Sequence, residues 1–339
     1  MYHEIEQVNM YKPSNVMVTG GAGFIGSHFV DLLCETYPHY NVVIFDKLDY
    51  CASKKNINPE STLVTGDICR FEDVANALAN HDIDTVVHFA AQSHVDTSFG
   101  NSLTFTHTNV FGTHVMLEAA RSYGKIKRFI YVSTDEVYGD MSHGLGEGLH
   151  ETSVLAPNNP YASSKAGAEM ICRSYTMSYK MPIIITRGNN VYGPRQHTEK
   201  LIPCMVTRIL DGESLPIHGE GDALRSYLYV SDVVNAFDKI LHHGKDGETY
   251  NIGTDEERSV LNVVNDIVRV MGADKRHIEF VTDRKFQDKR YFVKSDKLNA
   301  LGWYPQIDWQ YGLQTTIKWY SSIDHDVYWQ PKKGFRSWP

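Results

Sequence analysis

Val16-Met17-Val18-Thr19-Gly20-Gly21-Ala22-Gly23-Phe24-Ile25-Gly26 decides the fold. Its first four residues are a short apolar run, its middle is rich in glycine, and a helical pattern follows from Phe24 to about Thr36. Strand, glycine turn and helix, in that order, form the context in which a glycine motif takes a dinucleotide. The glycines permit a tight turn and close approach of a pyrophosphate. The helix start offers free N–H groups and a partial positive charge. The spacing can be read as Gly20-x-x-Gly23-x-x-Gly26 or as Gly21-x-Gly23-x-x-Gly26.

Outward from this turn, Asn41 to Phe45 reads as a second strand that ends at Asp46. An acid roughly twenty residues after the last glycine is placed to accept hydrogen bonds from the adenosine ribose. It repels a 2′-phosphate, which favours NAD over NADP, although the neighbouring Lys47 softens that argument. Thr62-Leu63-Val64 is a third strand leading to Gly66-Asp67-Ile68, where Asp67 can reach an adenine amino group. Thr85 to Phe89 is a fourth, closing in Ala90-Ala91-Gln92-Ser93, whose small residues let a cofactor lie against backbone. A helix is expected from about Ser102 to Tyr123, then a fifth strand, Arg128 to Val132. Strands alternating with helices predict an α/β fold with a doubly wound parallel sheet.

The fifth strand runs into Ser133-Thr134-Asp135-Glu136-Val137-Tyr138-Gly139. A hydroxyl and two adjacent acids thus sit where open α/β sheets place ligands. After a loop over 143–159, Pro160 sets up a helix in which Tyr161 and Lys165 share one face. An ammonium beside a phenol favours phenolate, which predicts Tyr161 as a general base near neutral pH. Tyr-x-x-x-Lys is common by chance, and an acid pair alone can simply cap a helix. The amino-terminal dinucleotide motif is what gives both their weight.

Pro182 to Thr186 is a sixth strand, and after Arg187 to Pro194 the alternating rhythm breaks. The expected division is a dinucleotide-binding domain over 14–187 and a smaller substrate-binding lobe of 188–225 and 245–330. Residues 226–244 are expected to return to the first domain, as a sheet strand from Ser226 to Val230 and a helix capped by Ser231. A further helix is expected from about Val260 to Met271, capped by Ser259. Lys200, Arg225 and Arg290 are cations able to clamp a second diphosphate. Trp303, Trp309, Trp319, Trp329 and Trp338 read as packing and rim residues.

The bulk numbers narrow the class. The chain has 339 residues, 42% hydrophobic and 22% charged, with net charge −8 and no basic tract, which argues against nucleic acid as the main partner. Cys34, Cys51, Cys69, Cys172 and Cys204 are odd in number and form no C-x-x-C pair, so neither a disulfide framework nor a zinc site is expected. The 16 histidines show no metal-ligand spacing. Met1 to Asn15 lacks a signal-peptide core, and no apolar run spans a bilayer; a cytoplasmic chain without a membrane partner is the expectation.

Taken together, the residues from Val16 to about Tyr304 resemble the extended short-chain dehydrogenases/reductases that act on nucleotide sugars. The run TDEVYG resembles the 4,6-dehydratases among them; related epimerases usually carry small or hydroxyl residues where this chain has Asp135 and Glu136. DKLDYCAS, HVDTSFGNS, TRGNNVYGPRQHTEKLIP, PIHGEGDALRSYLYV and FQDKRYF are similar to UDP-glucose 4,6-dehydratases, such as the dehydratase half of plant UDP-rhamnose synthases. Bacterial dTDP-glucose enzymes differ in carrying His at the position of Gln287 and Asn at that of Val260.

This resemblance implies a Rossmann-like sheet with a smaller α/β lobe, and it favours the reading Gly20-x-x-Gly23-x-x-Gly26. It implies a bound NAD held by Gly20, Gly23, Phe24, Ile25, Gly26, Asp46, Lys47, Asp67, Ile68, Ala90, Ala91, Ser93, Ser133, Tyr161 and Lys165. The substrate, UDP-glucose, would meet Thr134, Asn190, Glu199, Lys200, Leu201, Pro216, Ile217, His218, Arg225 and Arg290. In the implied mechanism Thr134 holds the glucose 4-hydroxyl and Tyr161, beside Lys165, deprotonates it while hydride leaves carbon 4. Glu136 then removes the carbon 5 proton, and Asp135 protonates the departing 6-hydroxyl. The hydride returns to carbon 6, and Tyr161 returns its proton there or nearby. The product is a 4-keto-6-deoxy sugar, a step toward deoxysugars such as rhamnose. A homodimer is also implied, with the helices near Ser102–Tyr123 and Tyr161–Tyr179 packed as a four-helix bundle. The competing readings are a dTDP-glucose 4,6-dehydratase, a 4-epimerase or decarboxylase, and an NAD-binding regulator without activity.

Overall fold

The computed structural model describes residues 10–141, 148–283 and 287–329. The polar start at 1–9, part of the loop expected over 143–159, Phe286 of FQDKRYF, and Trp338 lie outside the described residues. In chain order the first half holds β1 (Asn15–Thr19), α1 (Phe24–Thr36), β2 (Asn41–Asp46), β3 (Thr62–Thr65), α2 (Phe71–Asn80) and β4 (Thr85–His88). There follow α3 (Val95–Gly100), α4 (Ser102–Phe105), α5 (Thr113–Tyr123), β5 (Arg128–Thr134), α6 (Pro160–Tyr179) and β6 (Ile183–Gly188). The second half holds β7 (Asn190–Tyr192), α7 (Leu201–Leu210), β8 (Leu215–His218), β9 (Leu224–Tyr229), α8 (Val230–His243) and β10 (Thr249–Ile252). It closes with β11 (Glu257–Ser259), α9 (Val260–Met271), β12 (Ile278–Val281), α10 (Asp296–Asn299) and α11 (Trp309–Ser322).

Seven strands form one sheet in the order β10-β6-β5-β4-β1-β2-β3, every pair parallel. The order reverses between β1 and β4, so a crevice opens at the carboxyl ends there. Side chains alternate faces along each strand. Val16 and Val18 join Phe29 and Leu33 of α1 and Phe237 and Ile240 of α8; Met17 joins Leu78 of α2, Met116 and Leu117 of α5 and Cys172 of α6. Both faces are therefore covered, which is why the strands read as unbroken apolar runs.

Two expectations change here. Ser226 to Val230 does not return to the main sheet: β9 lies in a three-stranded sheet, β11-β9-β7, and β10 takes the seventh place. β9 alternates buried Ser226 and Leu228 with half-buried Arg225, Tyr227 and Tyr229, a pattern for a sheet with one open face. Tyr250, Asn251 and Ile252 of β10 are all buried, as a doubly covered sheet requires. The helix that follows β9 does pack on the main sheet. Val233, Val234, Phe237, Ile240 and Leu241 complete its first layer, each worth about 1.5–3 kcal/mol when fully buried. That helix starts at Val230, with Tyr229 at the cap position and no side-chain cap, so Ser231 is not the cap.

The helix expected over 102–123 is broken by a π-helical segment, Thr106–Gly112. The wider turn aims Asn109 inward, where it bonds the backbone of Gln92 and the Ser164 hydroxyl. Ser259 caps α9 by accepting from Asn262 N, as its position predicts. The lobe has its own core, with Ile202, Met205, Leu215, Ile217, Ile267, Trp309 and Leu313. Trp303 and Trp309 are buried with their indole N–H groups bonded to Asp232 O and Asp266 Oδ2.

Candidate active site

The glycine turn shows why those residues are glycines. Gly20 has φ +69°, and a Cβ there would meet Ala90 N at 2.9 Å. A Cβ on Gly26 would lie 2.4 Å from Gly20 O. The first turn of α1 thus rests directly on the backbone of β1's exit. Gly20 N bonds Phe45 O, and the Asp46 carboxylate receives Ala22 N at 3.0 Å and Leu48 N at 2.7 Å. Desolvation raises the Asp46 pKa, and these two N–H donors oppose it. Asn56 and Ser53 add two further bonds to Ala22 O.

A cavity runs from this turn along the carboxyl ends of the strands. All fifteen residues expected around a dinucleotide line it: Gly20, Gly23, Phe24, Ile25, Gly26, Asp46, Lys47, Asp67, Ile68, Ala90, Ala91, Ser93, Ser133, Tyr161 and Lys165. Ser133 Oγ is buried there without a hydrogen-bond partner, a polar atom left for a ligand. A second cavity adjoins the first. Glu136, Asn190, Glu199, Lys200, Leu201 and Tyr227 line both. Pro216, His218 and Arg225 line the second, with Val260 and Gln287.

Two expected substrate residues lie elsewhere. Ile217 is 1% exposed and belongs to the lobe core, because the alternation of β8 sends Pro216 and His218 one way and Ile217 the other. Arg290 lines neither cavity; its guanidinium is engaged by Glu257 at 2.7 and 2.6 Å and lies over the Phe292 ring. Arg225 stays at the cavity wall, fixed by donating to Leu224 O and Asp288 O. Lys200 Nζ donates to Ser93 O at 2.6 Å, joining the lobe to the β4 exit.

Where the two cavities meet, β5 ends and a short 3-10 turn, Asp135–Tyr138, begins. Thr134 Oγ1 donates to Asp135 Oδ1 at 3.2 Å and accepts from Glu136 N. Asp135 is 2% exposed; desolvation, with the charge of Glu136 adding to it, pushes its pKa up to about 7. Desolvation also raises Glu136, but Asn159 Nδ2 donates to it at 3.0 Å and the charges of Arg225 and Lys200 favour its ionised form. Burial thus raises both acids, and Asn159, Arg225 and Lys200 hold Glu136 back toward its charged form. Sequence reasoning did not find Asn159. Asn-Pro before a helix signals a cap, and Asn159 Oδ1 does accept from Ala162 N, yet the same side chain also holds Glu136.

The Tyr161–Lys165 pair differs from expectation. Both line the first cavity on one face of α6. However, Lys165 Nζ donates to Val132 O at 2.5 Å and sits over the Tyr131 ring. Desolvation lowers the lysine to about 8, with Glu169 opposing. The Tyr161 phenol is raised, first by desolvation and then by the charge of Glu136; its hydrogen bond with Thr134 works the other way. Burial and the charge of Glu136 thus favour the neutral phenol at Tyr161.

Among the described residues no group of three or more metal-ligating side chains converges, and no helix is long and apolar enough to cross a membrane.

Known proteins resemble this chain over most of its length. The family model for GDP-mannose 4,6 dehydratase matches residues 17–316. A trifunctional UDP-glucose 4,6-dehydratase/UDP-4-keto-6-deoxy-D-glucose 3,5-epimerase/UDP-4-keto-L-rhamnose-reductase of Arabidopsis thaliana is 50% identical over 317 residues, 92% of this chain and 48% of the plant protein. The chain therefore spans about half the length of such plant relatives. The dTDP-D-glucose 4,6-dehydratase of Mus musculus is 45% identical over 322 residues, covering 92% of this chain and 90% of that protein. The crystal structure of dTDP-glucose 4,6-dehydratase from Bacillus anthracis, in complex with NAD, superposes with TM-score 0.85 at 40% identity, over 93% of this chain and 98% of the other.

Proposed function

This chain belongs to the GDP-mannose 4,6 dehydratase family, and on that premise we propose that it converts UDP-glucose to UDP-4-keto-6-deoxyglucose with NAD as a regenerated cofactor. One observation carries the reading: Thr134, Glu136 and Tyr161 line one cavity, with the buried carboxyl of Asp135 beside Glu136 and bonded to Thr134 just behind them. Epimerisation at carbon 4 needs hydride transfer and one base. Elimination of water needs a base for carbon 5 and a separate acid for the leaving oxygen.

The glycine turn, Asp46 and the orphaned Ser133 hydroxyl fit a dinucleotide. When bound, NAD takes the hydride from carbon 4 and supplies it to carbon 6. The chain's own residues manage the protons. Thr134 orients the 4-hydroxyl and Tyr161 accepts its proton. The ketone so formed acidifies carbon 5, whose proton goes to Glu136. Asp135 gives its proton to the 6-hydroxyl, which departs as water. Glu136 then returns its proton to carbon 5, and the proton Tyr161 took is released to solvent while Asp135 takes one back, so every group is restored. Burial, and then the charge of Glu136, disfavours the Tyr161 phenolate; the positive charge of a bound oxidised nicotinamide would favour it.

In this reading the second cavity takes the nucleoside diphosphate, with Arg225 and Lys200 as its cations and Asn190, Glu199, Leu201, Pro216 and His218 around it. The uridine preference is supported by the identity to the plant proteins and by Val260 and Gln287, which line that cavity. The mouse relative, matched over 90% of its length, favours thymidine as the second reading. Specificity constants for UDP-glucose and dTDP-glucose on one preparation decide between them. A dTDP-glucose constant equal to or above that for UDP-glucose overturns the substrate and leaves the acid–base roles standing.

A homodimer belongs to the same proposal. Leu103 is 82% exposed and Met177 70%, with Phe111 and Met170 about half exposed, on α4, the π-helical segment and α6, which pack side by side. Such apolar surface calls for a cover. Light scattering after size exclusion should give twice the chain mass, and a monomer would refute it.

A further inference from the structure

We propose that Asn189 is a positioning residue that decides which oxygen of Asp135 carries the acid proton. The inference rests on Asp135 being the acid of the proposed elimination.

Asn189 immediately follows β6 and is 4% exposed. Its backbone N–H is bonded to Ile252 O at 2.9 Å, so the residue is anchored to the edge strand β10. Its side chain makes two bonds. Oδ1 accepts from Thr254 N at 3.0 Å, and Nδ2 donates to Asp135 Oδ2 at 2.7 Å. A backbone N–H can only donate, so the amide cannot flip without setting donor against donor. Gly253 makes the approach possible: a Cβ there would lie 2.7 Å from Asn189 Oδ1. The donor therefore always faces Asp135 Oδ2.

An oxygen that receives an N–H bond is the better place for the carbonyl end of a protonated carboxyl, since hydroxyl oxygen is the weaker acceptor. Thr134 Oγ1 also donates, to Oδ1, but a hydroxyl can turn to accept whereas the Asn189 amide N–H cannot, so the proton is directed to Oδ1. That oxygen is the one within reach of Thr134 Oγ1, at the cavity wall. Asn189 thus turns the acid proton toward Thr134 and away from its own amide. The same donor favours the charged form, and so limits how far burial raises the pKa. The other groups that face Asp135 are titratable or charged: Glu136 beside it raises its pKa, Arg225 on β9 lowers it, and Tyr161 on α6 senses its charge. Asn189 does not titrate, so its effect is directional at every pH.

Three variants of the full chain test this, with NAD and UDP-glucose. N189A removes both bonds. N189D keeps an acceptor for Thr254 N–H and the shape, but removes the donor and adds like charge. D135N tests the underlying reading. The measurements are kcat against pH, read from the alkali-absorbing keto product, and the fraction of reduced cofactor during turnover. Loss of the donor should move the alkaline limb of kcat up by roughly one pH unit in N189A, and further in N189D. On the plateau kcat should fall several-fold with KM little changed. Reduced cofactor should build up, because oxidation outruns elimination. A lower kcat with the limb unmoved in both variants, while D135N blocks product formation, overturns the role of Asn189 and leaves Asp135 as the acid. Product formed by D135N at the wild-type rate overturns both.

Discussion

Gly26→Ala tests the seat of the dinucleotide most sharply, because the structure sets the sign of its effect. In an ordinary helix interior the change stabilises by about 1 kcal/mol. Here the new Cβ would lie 2.4 Å from Gly20 O, 3.0 Å from Gly20 C and 3.1 Å from Gly21 Cα. These are backbone atoms and have no rotamer to change. Nor can the turn yield freely, since Gly20 N is bonded to Phe45 O, Gly23 N to Gly20 O and Ala22 O to Asn56. Relief therefore requires the start of α1 to lift by about 1 Å, at an overpacking cost of ~1–3 kcal/mol that exceeds the gain in helix propensity. A lifted helix start loses its grip on a pyrophosphate. One hydrogen bond to a charged group is worth ~1.5–3 kcal/mol, so the dissociation constant for NAD should rise roughly 10- to 150-fold. Calorimetric titration of the apo-protein with NAD measures this, beside a melting curve that reports the fold. An NAD affinity within a factor of two of the parent would refute the placement of the pyrophosphate on this turn.

Further outcomes follow from the acid pair and its neighbours. Glu136→Gln should retain NAD binding yet lose ~10²–10⁴ in elimination rate; incorporation of solvent deuterium at carbon 5 at the parent rate would show another base. Tyr161→Phe should form no reduced cofactor in a single turnover, and a normal absorbance rise would place the first base elsewhere. Asp135 also bears on stability. Its folded pKa of about 7 lies above the ordinary 3.8, so the native state holds a proton between those values and its stability falls as pH rises through that window. Asp135→Asn removes that cost, which is at most about 4 kcal/mol. The apo-variant should melt above the parent at pH 8, with the gap closing toward pH 4; a gap independent of pH would contradict the assignment.

How much of this was legible in the sequence depended on the range of the interaction. The glycine turn is local: strand, turn and helix adjoin in the chain, and every expected cofactor residue lines one cavity. Thr134, Asp135 and Glu136 were legible because a single strand end carries them. The misses are tertiary. Ser226 to Val230 reads as a strand of the main sheet until its half-polar pattern is set beside the fully buried β10. Arg290 looks like a free cation until Glu257, far off in the chain, engages it. Lys165 has the spacing to touch Tyr161, but Val132 O holds its ammonium. Asn159 reads only as a helix cap, and Asn189 only as part of a turn. Their meaning lies in which acid their amides face, and only the packing of α6 and β6 against β5 decides that.

In the proposed reaction one hydride leaves carbon 4 and comes back at carbon 6 while water is lost between. UDP-glucose carrying deuterium at carbon 4 tests it in a single incubation with the chain and a trace of NAD, read by mass spectrometry and NMR of the product. The predicted product is lighter than substrate by one water, keeps the deuterium, and carries it on carbon 6. A product of unchanged mass with deuterium still on carbon 4 would be an epimer and would contradict the dehydratase reading, and deuterium lost to solvent would contradict the regenerated cofactor.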